Sequence, residues 1–396
     1  MASRFELLTR IEGAGEVQLQ IADGRLAAVR VAMLDIPRGF DNLVRGRHFS
    51  EVPLLVSRVC AICSAAHRVV AVRALEQALQ VTVPPAAAAL RELLLLGALI
   101  ESHVLHLFLL VYPDLHHCAS VTELLAIAPD QVKAGLELRQ LGRRLQEVAG
   151  GRAIHPPNVV VGGIIAWPDQ NELDSLSASL CGWQKQWPAL QTIFTNAEAY
   201  PASHPIAVCT LTTDAAYLLL DSTKRPLAAY AEILNGVDVD YSRARQYQFD
   251  GVPILSGARA RQATDHADAA LGVFANCAAQ AREIGAALDA AVAWFADEKI
   301  TEELCCPVTA AAGRGVAALE APRGTLLHAY RLSADGTVLE AEIITPTAIN
   351  QLAMELQLMT DLQGAKDDAG LATRAAQIIR AFDPCISCAV HRVERR

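Results

Sequence analysis

SRVCAICSAAH, residues 57–67, sets Cys60 and Cys63 in a Cys-x-x-Cys pair with His67 four positions further on. The stretch runs straight into a helical pattern over 64–80, so the pair sits at the mouth of a helix. Near the other end, DPCISCAVH (383–391) repeats the arrangement with Cys385, Cys388 and His391, just after a helical pattern over 369–382. Four thiolates suit a soft or borderline metal. Three readings follow from spacing alone: a structural zinc site, a redox pair, or a catalytic metal centre. Zinc modules sit on compact knuckles whose pairs lie some tens of residues apart, and a thioredoxin-like pair needs a βαβ setting. Here the pairs are more than three hundred residues apart, each amid apolar residues.

Between the two motifs the pattern is mainly helical. Apolar spacing of three and four residues predicts helices over 85–111, 132–149, 169–198, 225–235, 262–298 and 347–362, besides the two already named. Alternation predicts a β-hairpin over 5–35, turning at ADG, and a second over 326–344, turning at SADG. Pro and Gly punctuate loops, as at 155–163 and 305–315, but no linker or repeat divides the chain. The expectation is one mainly α domain, 1–396, with small β-hairpins (α+β) packed on a large helical bundle that can hold a buried centre.

The composition agrees with that picture. Of the 396 residues 52% are hydrophobic and 19% charged, which marks a chain with a sizeable core. A net charge of −9 argues against a nucleic-acid partner. Residues 1–9 lack the layout of a signal peptide. The apolar run at 93–100 is followed by Glu101, His103 and His106, which fit a buried helix better than a membrane span. His103 and His106, one turn apart, read as a buried polar network. Cys118, Cys181, Cys209, Cys277, Cys305 and Cys306 form no disulfide framework, and most are expected to be small buried hydrophobes.

RVCAICSAAH resembles the Arg-x-Cys-x-x-Cys-x-x-x-His signature of the large subunit of nickel–iron hydrogenases, and DPCISCAVH is similar to that family's C-terminal signature. LTRIEGAGEV (8–17), PRGFDNLVRGR (37–47), GGRAIHPP (150–157), EAPRG (320–324) and TPTAIN (345–350) have counterparts in the same order, so the likeness runs end to end. It implies reversible heterolytic cleavage of dihydrogen at a nickel–iron centre whose iron carries cyanide and carbon monoxide. Cys60 and Cys385 would be terminal nickel ligands and Cys63 and Cys388 bridging ones, with Cys385 suited to take the proton. Glu12 stands at the place of the proton-relay glutamate. Arg323 matches the arginine over the open side of the metals, Asp383 its supporting carboxylate, and His67 a hydrogen-bond partner of a bridging sulfur.

Asp35, His391 and the backbone near Ile343 stand where the family keeps a magnesium site. Asp35 departs from the usual glutamate there and is one methylene shorter. Ser102 occupies a place where some respiratory hydrogenases carry Asp. Together with the short length, it makes the chain look like the cytoplasmic, cofactor-linked hydrogenases. The chain shows no further cysteine cluster for iron–sulfur centres and no Gly-x-Gly-x-x-Gly loop. Electrons are therefore expected to leave through a small iron–sulfur subunit, with NAD(P)- or deazaflavin-linked diaphorase-type subunits as further partners. Two rivals share the fold: a dihydrogen-sensing regulatory hydrogenase, and a metal-free structural relative as in respiratory complex I. RVERR, after His391, carries four charges and is expected to run outward to solvent, with His391 turned inward.

Overall fold

Asp23 and Gly24 both take positive φ (52° and 71°), which turns the N-terminal hairpin where ADG predicts it. Its strands are Gly15–Ala22 and Arg25–Met33. In the first of them Val17, Leu19 and Ile21 point inward, while Glu16, Gln18 and Gln20 sit at the half-exposed positions between. A third strand, Ala2–Leu7, extends this into an antiparallel meander in a computed structural model that describes residues 2–37, 39–262, 271–297 and 303–390. That strand is not legible in the sequence because Phe5 and Leu7 lie exposed and nothing in ASRFEL alternates toward a core. Backbone pairing with Gly15–Ala22 holds it.

The late hairpin is formed by Gly324–Leu332 and Val338–Ile344. It too gains a third strand, Gly313–Ala321, whose start overlaps the stretch read as loop. The glycines there serve close packing. A Cβ on Gly315 would lie 1.9 Å from the carbonyl oxygen of Ala74, on the helix the strand crosses.

The long helices are Ser64–Leu79, Pro85–Val104, Pro129–Gly150, Gln170–Thr195, Ala275–Ala296, Pro346–Leu362 and Ala369–Ala381. Helices and small sheets together give the α+β fold expected. Leu105–Val111 continues the Pro85 helix as a π-helix. Two predicted helices need correction. Of 262–298, the described helix begins only at Ala275; residues 263–270 and 298 lie outside the described residues. Within 225–235 only Tyr230–Ile233 is α-helical, and strands Thr223–Pro226 and Asn235–Val237 flank it. These belong to a six-stranded sheet spanning Cys209 to Ser256, which includes one parallel pair. Its strands are three to five residues long and partly exposed, too short to set a period in the sequence.

The helical run Pro85–Leu115 contains an 18-residue window of mean hydropathy 2.0 and is long and apolar enough to cross a membrane. Two-thirds of its apolar window is buried inside the chain, as a core helix would be. Gly97 and Gly142 let it meet the Pro129 helix almost backbone to backbone. A Cβ on Gly142 would stand 2.7 Å from the Glu101 nitrogen and 2.9 Å from the Gly97 oxygen. Backbone cannot yield as a side-chain tip can, so Gly142→Ala is expected to destabilise by about 1–3 kcal/mol. A lowered urea midpoint at constant slope is the expected result, and an unchanged midpoint would contradict this packing.

Candidate metal centre

Cys63 caps the Ser64 helix, and Cys60 lies in the turn leading to it. At the other end, the Ala369 helix stops at Ala381 and Asp383 takes a positive φ of 53°. That turn brings in Cys385, the residue that precedes the short helix Ile386–Ala389, and Cys388 within that helix; both are buried. The N-terminal segment clasps this turn, with the Ile386 N–H donating to the Glu12 carbonyl at 2.9 Å. The Cys385 N–H donates to Thr347 Oγ1 at 2.9 Å.

The result is one buried cluster. The sulfurs of Cys60, Cys63, Cys385 and Cys388 all lie within 4.8 Å of one another. Cys385 Sγ is 2.8 Å from Cys388, 3.5 Å from Cys60 and 3.9 Å from Cys63. Thiol hydrogen bonds, from Cys385 foremost, hold Cys60 well below the usual cysteine pKa. Burial, foremost among the causes, holds Cys385 and Cys388 well above it. The Cys60 thiolate forms readily, whereas Cys385 and Cys388 resist charging until a cation shares the site. A metal ion satisfies that electrostatic demand.

Arg323 reaches the cluster from the turn between strands Gly313–Ala321 and Gly324–Leu332. Gly324, at φ 132°, lets this turn press on Ser256, where a Cβ would lie 2.4 Å from the hydroxyl. The Arg323 Nη1 points at Cys63 Sγ from 3.4 Å. Its Nε donates to the Asp383 carbonyl at 2.9 Å and carboxylate at 3.1 Å, and Nη2 is 3.0 Å from the same carboxylate. Burial opposes its charge, but Asp383 and the sulfurs of Cys63, Cys385 and Cys60 outweigh it and raise its pKa well above the usual value. Gln280 Nε2 donates to the far Asp383 oxygen at 3.1 Å.

Glu12 lies between cluster and surface, half-buried, with Oε2 3.0 Å from Cys385 Sγ. The Ser387 N–H donates to Oε2 at 3.2 Å, and the Ser387 hydroxyl donates to Oε1. His67 is buried on the Ser64 helix, with Nδ1 3.1 Å from His328 Nε2. Sequence reasoning missed Ser387, Gln280, Thr347 and His328. The signals were slight: a lone polar residue inside CISC, and a histidine on a strand face otherwise apolar.

Other expected residues fall further out. Ser102 is buried, and its hydroxyl makes no hydrogen bond among the described residues, to Arg323 or to anything else. His103 and His106 do form a buried polar network, through Glu283 at 2.8 Å and Gln280 at 2.5 Å. Asp35 accepts from the Ala14 N–H at 3.1 Å. A Cβ on Gly13 would meet both the Asp35 carboxylate and Ile386, so Asp35 backs onto the Cys385–Cys388 turn. Ile343 is buried in strand Val338–Ile344. His391 and RVERR lie outside the described residues. Among the remaining cysteines only Cys118 and Cys277 are buried. Cys181, Cys209 and Cys306 are half-buried, and Cys305 is exposed on a loop whose backbone pairs with Gly163.

Comparison with known proteins places this geometry. A family model described as nickel-dependent hydrogenase matches residues 38–136 and 255–391. The chain is 35% identical to the sulfhydrogenase 2 subunit alpha of Pyrococcus furiosus, covering all of both chains. It is 31% identical to the sulfhydrogenase 1 subunit alpha of the same organism, covering 98% of this chain and 97% of that one. A crystal structure of an NAD+-reducing nickel–iron hydrogenase in the dihydrogen-reduced state superposes with TM-score 0.88 at 24% identity, covering 99% of this chain and all of the other. The nickel–iron–selenium hydrogenase of D. vulgaris Hildenborough gives 0.81 at 23%, covering 98% of this chain and all of that one, so these two structures speak for the fold.

Proposed function

The chain belongs to the nickel-dependent hydrogenase family as a large subunit, an oxidoreductase acting on dihydrogen, and from that premise we propose how its residues divide the work. The observation that carries the reading is the convergence of four buried sulfurs from opposite ends of the chain. Cys60, Cys63, Cys385 and Cys388 would hold the nickel–iron pair, Cys60 and Cys385 as ligands to nickel and Cys63 and Cys388 as ligands to both metals. When bound, the nickel–iron pair, its iron carrying cyanide and carbon monoxide, supplies the centre at which dihydrogen is split and its two electrons are taken up.

The chain's own residues handle the proton and the charge. Dihydrogen is a very weak acid, so a base must stand beside the site of cleavage. Cys385 Sγ is that base, and its contact with Glu12 Oε2 at 3.0 Å gives the proton its next stop. Ser387 fixes the carboxylate from two directions, and its half-buried position lets the proton pass toward water. Arg323, held in a fork by Asp383, sets a permanent cation against the thiolates and suits the cyanide nitrogens. His67 tunes a bridging sulfur, and Ser102 helps shape the pocket wall.

Asp35, the backbone near Ile343 and His391 would be the protein's ligands for magnesium. A hard carboxylate behind the Cys385–Cys388 turn has the chemistry for that ion, with water making up the reach lost with one methylene. Residues 1–396 act as one domain, a reading supported by a large core cluster that includes Leu8 and Cys388, with a second cluster that likewise joins both ends through Met33 and Val390. Electrons pass to a small iron–sulfur subunit and on to NAD(P)- or deazaflavin-linked diaphorase-type subunits in the cytoplasm. Full-length likeness to two sulfhydrogenase alpha subunits supports the presence of partner subunits. Four intact cysteines speak against a metal-free relative.

Anaerobic co-purification with the small subunit tests the function. Dihydrogen-dependent reduction of a viologen dye is the expected result. A nickel-loaded complex that reduces no dye would favour the dihydrogen-sensing reading instead.

A further inference from the structure

Asp383 is held by helix Ala275–Ala296 as well as by Arg323. Gln280, on that helix, donates from Nε2 to Asp383 Oδ2 at 3.1 Å. One turn earlier, Asn276 Nδ2 donates to the Ala381 carbonyl at 2.9 Å, so one helix grips the turn before Cys385 twice. The oxygen end of the Gln280 amide lies 2.5 Å from His106 Nδ1, and His106 Nε2 lies 2.6 Å from the Arg380 carbonyl. His106 belongs to the π-helical segment Leu105–Val111, an irregularity found often at functional sites. Gln280 and His106 are each 1% exposed, where apolar side chains would pack without the cost of desolvation. An ionised carboxylate only accepts, so the nitrogen end of the amide must face Asp383.

The consequence lies in how Arg323 is paired. Arginine and a carboxylate commonly meet fork to fork, with one N–H on each oxygen. Here Nε at 3.1 Å and Nη2 at 3.0 Å both fall on Oδ1, and Nη2 makes no hydrogen bond among the described residues. Gln280 occupies the other oxygen. Nη1, outside this pairing, points at Cys63 Sγ from 3.4 Å. We propose that Gln280 is a positioning residue for Arg323: it withholds Asp383 Oδ2 from the guanidinium and so keeps Nη1 on the Cys63 sulfur. The inference rests on the reading of the four cysteines as the metal centre. Without the Gln280 donor, Asp383 turns about its Cβ–Cγ bond, both its oxygens take the Nε–Nη2 edge, and the guanidinium is drawn away from Cys63. His106 holds the amide oxygen and thereby fixes the direction in which Gln280 donates.

Gln280→Met tests this in the assembled, anaerobically purified enzyme, because it is close in volume and lacks the donor. The infrared bands of the iron-bound cyanides should shift, and turnover per bound nickel should fall roughly 10- to 100-fold. A crystal structure of the variant should show both Asp383 oxygens paired with Arg323. Gln280→Leu, a smaller side chain that also lacks the donor, should act in the same direction. Unshifted cyanide bands in a nickel-loaded variant would overturn the proposal, as would a structure in which Arg323 still meets Asp383 through one oxygen. Loss of nickel in both variants would overturn it too, in favour of a purely structural role. Should the four-cysteine reading itself fail, the unmutated protein would carry no nickel and show no cyanide bands.

Discussion

Cys385→Ser removes nickel from the chain and abolishes dihydrogen turnover. Serine keeps the size and the backbone contact to Thr347, but its hydroxyl is a hard donor that ionises far less readily than a thiol. Cys385 Sγ has the other three sulfurs at 2.8, 3.5 and 3.9 Å, and it touches Glu12. One substitution therefore takes away a ligand and the proton's first acceptor together. Losing an outer hydrogen-bond partner of a ligand costs roughly 10- to 100-fold in metal affinity or activity, and losing the ligand itself should exceed that. Nickel content by mass spectrometry, with dye reduction on the same sample, checks it. A variant that retains both would remove Cys385 from the site.

Glu12→Gln is expected to separate chemistry from metal binding. The amide keeps the shape and can still hydrogen-bond Ser387, but it cannot carry a proton from Cys385. Turnover should fall on the order of 10²- to 10⁴-fold, the usual worth of a positioned acid–base group, while nickel and iron stay bound. Turnover at the unmutated rate would take Glu12 out of the proton path. A coincident loss of metal would instead make its role structural, through the side-chain contacts with Ser387.

The parts of the site that the sequence makes legible are those in which chemistry and local structure coincide. Cys60 and Cys63 announce themselves because their pair stands immediately before an apolar helix. Cys385 and Cys388 do so because Asp383 and Pro384 end another. Glu12 becomes legible only through its motif, since its meeting with Cys385 is a pairing of segments 373 residues apart. Spacing along one segment says nothing of that. Ser387, Gln280 and Thr347 stay hidden for the same reason. The small sheets are lost to a different cause. Gly313 and Gly315 look like loop punctuation, yet their missing side chains are what let a strand lie against Ala74 and Ala78. Thr223–Pro226 is exposed throughout, so it has no buried face to reveal it.

The central claim is that four cysteines from the two ends of the chain hold nickel. X-ray absorption at the nickel edge of the assembled, anaerobically purified enzyme tests it most directly. The account predicts a nickel shell dominated by sulfur at roughly 2.3 Å, the usual length of a thiolate bond to a borderline metal of this size, and loss of that shell in Cys385→Ser. Nickel bound through nitrogen and oxygen, or zinc in a four-sulfur shell with no nickel present, would contradict it.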